Sequence, residues 1–399
     1  MRVIVIGAGV VGLSAAYFLA DAGHEVVVLE RDEPGGGASS HNAGWVAPSM
    51  AAPVAAPGML GQAIRWMVRR DSPLYVRPGL DPGYLGFLLR MLAATRVARY
   101  EEGVRTLMRF ARGALPAYDR LCADGLDILQ DEQPLTMLFT DPASLEAHAA
   151  ELAEAERAGV GIRWERLDRA AVVSAIPGAS EPVVGALVTH GDRTVDPVVL
   201  MRELADACRR RGVEIVPGAT AAFELEDGAP RIRHAGGIVA GDAYVVAAGV
   251  WSGELVRPLG ARLPLAAGKG YGFDLPPVAD LAGGPVYLAE GRVAITPYPD
   301  RLRLSGTMGF GGADPRIDRR RAGGILSSVD RYLGGYGISA TAGEPWMGLR
   351  PMTPDGIPII QRLPRHPSVI IAAGHQMMGV TLGPVTGLEI VKLMESRGA

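Results

Sequence analysis

Residues 3–30 read VIVIGAGVVGLSAAYFLADAGHEVVVLE, and this stretch decides the fold. A short β-branched run, Val3 to Ile6, precedes a glycine turn and a helical pattern that reaches Ala22. A second apolar run, Val26 to Leu29, ends beside an acidic residue. The succession predicts a βαβ unit, whose right-handed connection gives a parallel sheet covered by helices.

The glycines of GAGVVG form the G-x-G-x-x-G fingerprint of dinucleotide-binding turns. The first permits a tight turn, the second lets the backbone approach a pyrophosphate, and the third lets the helix pack closely on the strand. Free N–H groups at the helix start attract the phosphates. The carboxylate of Glu30 can accept hydrogen bonds from ribose hydroxyls, and it disfavours NADP because it would repel a 2'-phosphate. The expected cofactor contacts here are Gly7, Gly9, Val10, Val11, Gly12, Glu30 and Arg31.

Composition narrows the function further. The 399 residues are 48% hydrophobic, which suits two or three domains, and the formal net charge of -3 argues against a nucleic-acid partner. Cys122 and Cys208 form neither a disulfide framework nor a metal-ligand spacing, so no metal is expected and a cytoplasmic setting fits. No apolar stretch reaches the roughly 20 residues needed to span a bilayer.

The rest of the chain predicts a mixture of α/β and α+β architecture. Strand, glycine-rich turn and helix return in the last fifty residues, so the Rossmann-like nucleotide domain is expected to be discontinuous, while residues 262–310 predict antiparallel strands. The second domain would therefore hold a mixed, largely antiparallel sheet. The expected boundaries are 1–49, 145–255 and 345–399 for the nucleotide domain and 50–144 and 256–344 for the substrate domain.

Residues 60–112 are rich in arginine and carry apolar side chains between the charges. One interpretation is a set of solvated helix faces. The other is a surface that docks on a redox partner or on an anionic membrane, which would place the protein at the inner face of the cell membrane.

Two further stretches suit a flavin rather than a nicotinamide cofactor. GGGASSHNAG at 35–44 offers small residues and hydroxyls where a backbone could pass a second phosphate and a flavin ring, although an ordinary flexible loop would read the same way. VVAAGVWS at 245–252 is a strand followed by small residues and a tryptophan. The expected contacts are Ser39, Ser40, His41, Asn42, Ala43, Gly44, Ala248, Gly249 and Trp251.

Five short motifs follow one another along the chain: GAGVVG, GGASSHNAGWVAPS, KGY at 269–271, GLRPMTPDG at 348–356 and AAGH at 372–375. Together they resemble the D-amino acid dehydrogenase branch of the D-amino acid oxidase superfamily, whose relatives include glycine oxidase and sarcosine oxidase. The resemblance covers roughly residues 1–395. It implies FAD, a substrate domain whose sheet roofs the flavin, and oxidation of an amine to an imine that water hydrolyses to a keto acid and ammonia.

Oxidation of an α-amino acid requires a cation for the carboxylate and an α-hydrogen directed at flavin N5. Arg350 matches the substrate-binding arginine of the relatives, and a guanidinium offers two parallel donors to a carboxylate. Tyr271 could donate to the same carboxylate or could be a packing residue. Lys269 could lie near the flavin or cap its strand.

His375 in AAGHQMMG is expected to begin a helix whose N-terminal amides face the flavin, or to be an ordinary turn residue. Further contacts are expected at Gly374, Gly379, Val380 and Thr381. Met377 stands where glycine oxidase-like relatives have an arginine, which favours a more apolar substrate or another binding pose. No general base is required, because a neutral amine can lose hydride directly.

His41 leaves the attachment of FAD open, because relatives acting on sarcosine-like substrates link FAD covalently through a histidine in a similar setting. Non-covalent binding is the main expectation and a covalent link through His41 the lesser one. The expected substrate is a small amino acid or imino acid, of D-amino acid or D-proline and hydroxyproline type, with a quinone or carrier as electron acceptor. The alternatives are a glycine or sarcosine oxidase that releases hydrogen peroxide and a non-catalytic flavin-binding module.

Overall fold

The computed structural model describes residues 1–58, 74–77, 79, 81–129, 133–279, 281, 283–310 and 312–396. The strands are β1 (Arg2–Ile6), β2 (Glu25–Leu29), β3 (Trp45–Val46), β4 (Leu74–Val76), β5 (Leu135–Phe139), β6 (Arg163–Asp168), β7 (Gly185–His190), β8 (Arg193–Thr194), β9 (Glu214–Val216), β10 (Ala222–Glu226), β11 (Ala229–His234), β12 (Gly237–Val239), β13 (Ala243–Val246), β14 (Ala266–Leu275), β15 (Val286–Leu288), β16 (Val293–Pro297), β17 (Leu302–Phe310), β18 (Trp346–Met352), β19 (Ile359–Leu363) and β20 (His366–Ala373).

The α-helices are α1 (Val10–Asp21), α2 (Pro82–Ala94), α3 (Val97–Ala111), α4 (Ala114–Ala123), α5 (Pro142–Arg157), α6 (Arg169–Ala175), α7 (Pro197–Arg210), α8 (Ser252–Leu255), α9 (Arg319–Leu333) and α10 (Gly379–Glu395). Several helices begin at an aspartate whose carboxylate accepts from a backbone N–H of the first turn. The carboxylate of Asp196, for example, accepts from the backbone N–H of Val198, and Pro197 occupies the first turn of α7.

A parallel sheet forms the first layer, in the order β19-β20-β13-β1-β2-β9 among the described residues. Only β19 runs antiparallel to its neighbour. The strands of this sheet come from three separate parts of the chain. β1 and β2 precede residue 30, β9 and β13 lie between residues 214 and 246, and β19 and β20 follow residue 358. The expected discontinuous Rossmann-like sheet is confirmed.

Helices α1 and α10 pack against each other on this sheet, and two glycines of α10 make the close approach possible. A Cβ on Gly387 would lie 2.6 Å from the carbonyl oxygen of Ser14, and one on Gly383 would lie 3.0 Å from a methyl group of Val10. The C-terminal helix is therefore held directly beside the start of α1.

A second, mixed sheet runs β18-β14-β17-β16-β15-β5-β7-β6 among the described residues, with β4 paired to β17. Apart from the β15–β5 and β17–β4 pairs its pairings are antiparallel, as predicted. One face of the β14–β17 region packs under α9 in a core cluster that includes Tyr271, Phe273 and Ile325. The opposite face of this region carries Arg350.

The structure corrects the expected boundaries at two places. The ranges 145–255 and 345–399 were predicted to belong to the nucleotide domain. Strands β6 and β7 lie within the first range and β18 lies within the second. All three strands pair in the mixed sheet instead. A strand in either sheet could show the same pattern of polar and apolar side chains. The local sequence therefore could not tell which sheet these three strands join. Of the basic segment 60–112, residues 60–73, 78 and 80 lie outside the described residues.

Candidate active site

A cavity of about 460 Å³ opens at the carboxyl ends of the neighbouring strands β20, β13, β1 and β2. Gly7 follows β1, Glu30 follows β2, and Ala248 follows β13. Ligands of open α/β sheets bind at this end, where the loops of adjacent strands converge. Arg350 lines the same cavity from β18, so the mixed sheet contributes to its wall.

The fingerprint glycines have the geometry that their spacing predicts. Gly7 adopts φ +104°, and a Cβ there would lie 2.6 Å from the carbonyl oxygen of Ala247. A Cβ on Gly12 would lie 1.9 Å from the carbonyl oxygen of Gly7. Gly9 is the N-cap residue of α1 and has no side chain to accept from the first amides of the helix. The N–H of Val10 donates to Ser39 Oγ at 3.0 Å. The helix start can therefore offer amides to a phosphate.

Glu30 stabilises this turn as well as facing the cavity. Its Oε2 accepts from the N–H of Ala8 at 2.6 Å, and its Oε1 accepts from the N–H of Asp32 at 3.0 Å. A carboxylate has about four acceptor sites, so capacity remains for ribose hydroxyls. Beside it, the guanidinium of Arg31 lies 4.1 Å from the ring centroid of Trp251, and both residues line the cavity.

The 35–44 loop is fixed by its own asparagine. Asn42 Nδ2 donates to the carbonyl of Ser39 at 2.6 Å, and Asn42 Oδ1 accepts from the N–H of Gly44 at 2.8 Å. The half-buried His41 ring lies 5.6 Å from the ring of Trp346 on β18. A Cβ on Gly348 would lie 3.0 Å from the carbonyl oxygen of His41, so the loop rests directly on the mixed sheet.

Arg303, on β17, anchors this loop to the mixed sheet, and no sequence motif indicated this role. Its guanidinium forms two hydrogen bonds with the carboxylate of Asp274, at 2.7 and 2.8 Å. Its Nη1 donates to the carbonyls of Ser40 and Asn42. The side chain is almost fully buried. Arg303 thus joins the mixed sheet to the loop expected to contact the cofactor.

Several residues expected to contact the cofactor do not line the cavity: Gly12, Ser40, Ala43, Gly44, Gly374 and Thr381. They support its walls instead. Thr381 Oγ1, for example, donates to the carbonyl of Trp45 and accepts from the N–H of Ala47, which ties α10 to β3. The carbonyl of Ala43 accepts from Thr296 Oγ1. Motif membership alone could not separate these two roles.

The remaining expected contacts line the cavity: Gly7, Gly9, Val10, Val11, Glu30, Arg31, Ser39, His41, Asn42, Ala248, Gly249, Trp251, Gly379 and Val380, together with Arg350 and His375. The structure therefore brings together residues from both ends of the chain and from the middle. Their individual contacts with a cofactor stay predictions.

Arg350 projects from β18 towards this cavity. Its Nη1 donates to the carbonyl of Thr307 at 2.6 Å and contacts Met308 Sδ at 3.8 Å. Among the described residues, no carboxylate pairs with it and neither Nε nor Nη2 has a hydrogen-bond partner. Desolvation by burial lowers the pKa of Arg350 to about 10, and Tyr287 acts in the opposite direction. The group remains a cation at neutral pH.

Tyr271 and Lys269 do not line the cavity of Arg350, so Tyr271 is not placed to share its ligand and Lys269 is not placed beside the flavin. Both lie on β14 and line a different cavity, beside the start of α9. The Tyr271 hydroxyl accepts from the N–H of Asp318 at 3.3 Å, and Lys269 Nζ donates to the carbonyl of Arg316 at 3.0 Å. Alternation explains the outcome, because Gly268 is the β14 residue paired with Arg350 and its neighbours point to the opposite face.

Tyr287 is a tyrosine that sequence reasoning missed. It lies on β15, its ring is edge-on to Trp45 at 6.0 Å, and it raises the pKa of Arg292, to which it is hydrogen-bonded, and more weakly that of Arg350. The stretch PVYLAEG around it looks like an ordinary buried strand. Only the pairing of β15 within the mixed sheet could have indicated its place.

His375 lies in the turn between β20 and α10, four residues before that helix begins, and is buried. Its Nε2 lies 2.9 Å from Thr386 Oγ1. Burial lowers the pKa of His375 to about 4, so the ring is neutral at physiological pH and supplies no positive charge. Met377, which replaces the relatives' arginine, also lines the cavity and is largely exposed.

These residues fit FAD. A Cβ at Gly7 or Gly12 would collide with backbone, the uncapped start of α1 can face a pyrophosphate, and the Glu30 carboxylate is placed for a ribose. The fold and the cavity thus define a dinucleotide-binding protein of Rossmann type, with an unpaired guanidinium at the cavity wall.

Comparison with known families identifies the class more closely. A family described as FAD dependent oxidoreductase (DAO) matches residues 2–393, and the chain belongs to this family. FAD is therefore its cofactor.

Curated relatives named D-amino acid dehydrogenase match the chain over nearly its whole length. The protein from Methylobacterium nodulans is 35% identical, with 100% of this chain and 96% of the relative covered. The protein from Phenylobacterium zucineum is 36% identical, with 96% and 91% covered. The crystal structure of glycine oxidase from Geobacillus kaustophilus superposes with a TM-score of 0.74 at 23% identity, over 100% of this chain and 96% of that one. This last likeness concerns the fold.

Proposed function

We propose that this protein is a D-amino acid dehydrogenase, which oxidises a D-amino acid or a D-proline-like imino acid at the α-carbon. The observation that carries the proposal is the unpaired guanidinium of Arg350 at the wall of the cofactor cavity. The relatives named D-amino acid dehydrogenase, which match over nearly their whole length, support the same chemistry.

Arg350 is half-buried, and a partly desolvated cation without a counter-ion is costly because no partner offsets its lost hydration. In the described part of the chain, Arg350 donates to the Thr307 carbonyl and contacts Met308 Sδ, and neither neutral group cancels the charge. A substrate carboxylate would supply the missing anion and could accept from the two unoccupied edges of the guanidinium. Arg350 is therefore the carboxylate-binding residue of the proposal.

FAD, when bound, supplies the hydride acceptor of the reaction. The chain's own part is to bind and orient the substrate and to exclude water. Arg350 fixes the carboxylate, which limits how the α-carbon can be presented. The neutral His375 leaves Arg350 as the dominant charge on this side of the cavity and does not compete for the carboxylate. Alignment rather than proton abstraction by a side chain accounts for the proposed catalysis.

Anaerobic reduction of the bound flavin by a panel of D-, L- and N-methyl amino acids and prolines tests the proposal. We expect D-amino acids or D-proline-like compounds to bleach the flavin absorbance, while their L-enantiomers leave it unchanged. Reoxidation by a quinone analogue or dye, with little hydrogen peroxide formed in air, is expected of a dehydrogenase. Bleaching by no member of the panel would contradict the proposed function.

The proposal extends to a membrane or redox partner for the basic segment. Leu85, Leu89 and Leu92 lie along one side of α2 and are 41%, 67% and 43% exposed. No described helix is long and apolar enough to cross a bilayer. An exposed leucine stripe with nearby arginines suits contact with an anionic membrane surface. Changing the three leucines to Gln is expected to abolish co-sedimentation with anionic vesicles; unchanged binding would contradict it.

A further inference from the structure

The carbonyl that holds Arg350 belongs to a residue with an unusual backbone. Thr307 lies in β17 with φ +61°, in the left-handed region. This conformation is rare for any residue except glycine and is strained for a β-branched one. It occurs where the pairing of β14 with β17 shifts register, between Lys269 and Tyr271. Strain of this kind persists only where surrounding contacts enforce it.

Two hydrogen bonds fix Thr307 in this conformation. Its Oγ1 accepts from the backbone N–H of Tyr271 at 3.3 Å, so the hydroxyl replaces a carbonyl as the partner of that strand amide. Its own carbonyl is thereby released from the sheet and accepts from Arg350 Nη1 at 2.6 Å. The register shift thus converts a strand carbonyl into a support for the guanidinium.

Gly270 provides the surface on which the guanidinium lies. A Cβ there would lie 2.5 Å from Arg350 Nη2, 2.6 Å from Cζ and 2.9 Å from Nη1. Gly270 has no positive φ, so the requirement at this position is space and not backbone freedom. All three distances are to the far end of one side chain, which means that a methyl group here would displace the guanidinium rather than the fold.

We propose that Thr307 and Gly270 are positioning residues that set where Arg350 binds the substrate carboxylate. Thr307 holds one edge of the guanidinium, and Gly270 allows its plane to lie across β14. This inference rests on the proposed role of Arg350. Neither residue touches the substrate, so both act through the position of the guanidinium.

Gly270→Ala tests the role of space, with Gly309→Ala as its matched control. Gly309 also lies in this part of the sheet and lacks a positive φ, and a Cβ there would meet nothing closer than 3.6 Å. A displacement near 1 Å at a reactive site can cost roughly a hundredfold. We expect Gly270→Ala to raise both KM and the Kd of the inert carboxylate propionate at least tenfold, with FAD content and Tm close to those of Gly309→Ala.

Thr307→Val tests the hydroxyl, with Thr307→Ser as the conservative variant. Valine cannot accept from the Tyr271 N–H, whereas serine can. Thr307→Val is expected to raise KM and the propionate Kd severalfold with little change in bound FAD, and Thr307→Ser is expected to restore values near those of the wild type. Equal propionate binding by wild type, Thr307→Val and Gly270→Ala would overturn the inference.

Arg350→Ala separates this inference from the proposed function. If Arg350→Ala abolishes propionate binding while the two positioning variants bind normally, the positioning roles are wrong and the carboxylate site stands. If Arg350→Ala itself binds propionate like the wild type, the carboxylate site is wrong and both proposals fail. Neutral propionamide serves as the control for binding that does not depend on charge.

Discussion

The glycine turn of β1–α1 and the arginine site of β18 differ in how their parts are distributed along the chain. The turn is built from the consecutive residues 7–12, with Glu30 next along the chain, although Gly7 also packs against the carbonyl of Ala247. Arg350, in contrast, depends on Thr307 and Gly270, which come from other strands. A site made of consecutive residues can be predicted from spacing, whereas a site made of paired strands requires their register.

The largest effect is expected from breaking the local site. Gly12→Val would place side-chain atoms where the carbonyl of Gly7 lies, since even a Cβ would approach it to 1.9 Å. We expect the purified variant to contain no measurable FAD. Gly253→Ala, where a Cβ meets nothing closer than 3.9 Å, is the control and should keep its flavin absorbance. Normal FAD content in Gly12→Val would show that the turn does not hold the cofactor.

The connection between the two regions should be the next most sensitive point. Arg303→Met removes the link between the mixed sheet and the carbonyls of Ser40 and Asn42 and leaves Asp274 without its cation. We expect the Kd of FAD to rise at least tenfold. The free energy of unfolding should fall by roughly 2–3 kcal/mol, less than for a fully buried ion pair because Asp274 is partly exposed. Flavin fluorescence titration and urea unfolding measure both. FAD affinity equal to that of Arg233→Met, a surface variant, would contradict this role.

The pH dependence of unfolding tests whether the buried ring of His375 is neutral in the folded protein. Its pKa falls from an ordinary 6.5 to about 4 on folding, so the unfolded chain binds the proton more tightly. The stabilisation is complete above pH 6.5 and is lost as the pH falls through 4. Over this range the wild type should lose up to about 3 kcal/mol more than His375→Gln in urea unfolding. Parallel pH profiles for the two proteins would contradict the buried, neutral state.

The smallest effect is expected at Tyr271, which the motif alone had placed at the substrate. Tyr271→Phe removes only the acceptor of the Asp318 N–H, so it should cost about 1 kcal/mol of stability and leave KM within twofold of the wild type. A KM raised tenfold or more in Tyr271→Phe would restore the role at the substrate.

The sequence predicted the parallel sheet, its discontinuity, the glycine turn and the position of Glu30, because each depends on local pattern and spacing. The motif around Arg350 singled out a residue that does line the cavity, while its role in binding a carboxylate stays a prediction. The sequence could not decide between the alternatives for Tyr271 and Lys269, since the faces of β14 cannot be assigned without knowing that Gly268 pairs with Arg350. Arg303 and Thr307 were out of reach for the same reason, because a buried ion pair and a register shift arise only when distant strands meet.

Rapid-mixing measurement of flavin reduction in wild type, Arg350→Lys and Arg350→Ala tests the central claim most directly. The substrate is the D-amino acid that bleaches the wild type best, mixed without oxygen over a range of concentrations. If Arg350 binds the substrate carboxylate, Arg350→Ala should show a Kd for substrate raised at least a hundredfold and Arg350→Lys an intermediate value, because lysine keeps the charge but loses the paired donors. All three should retain FAD. Equal Kd values in the three proteins would contradict the account.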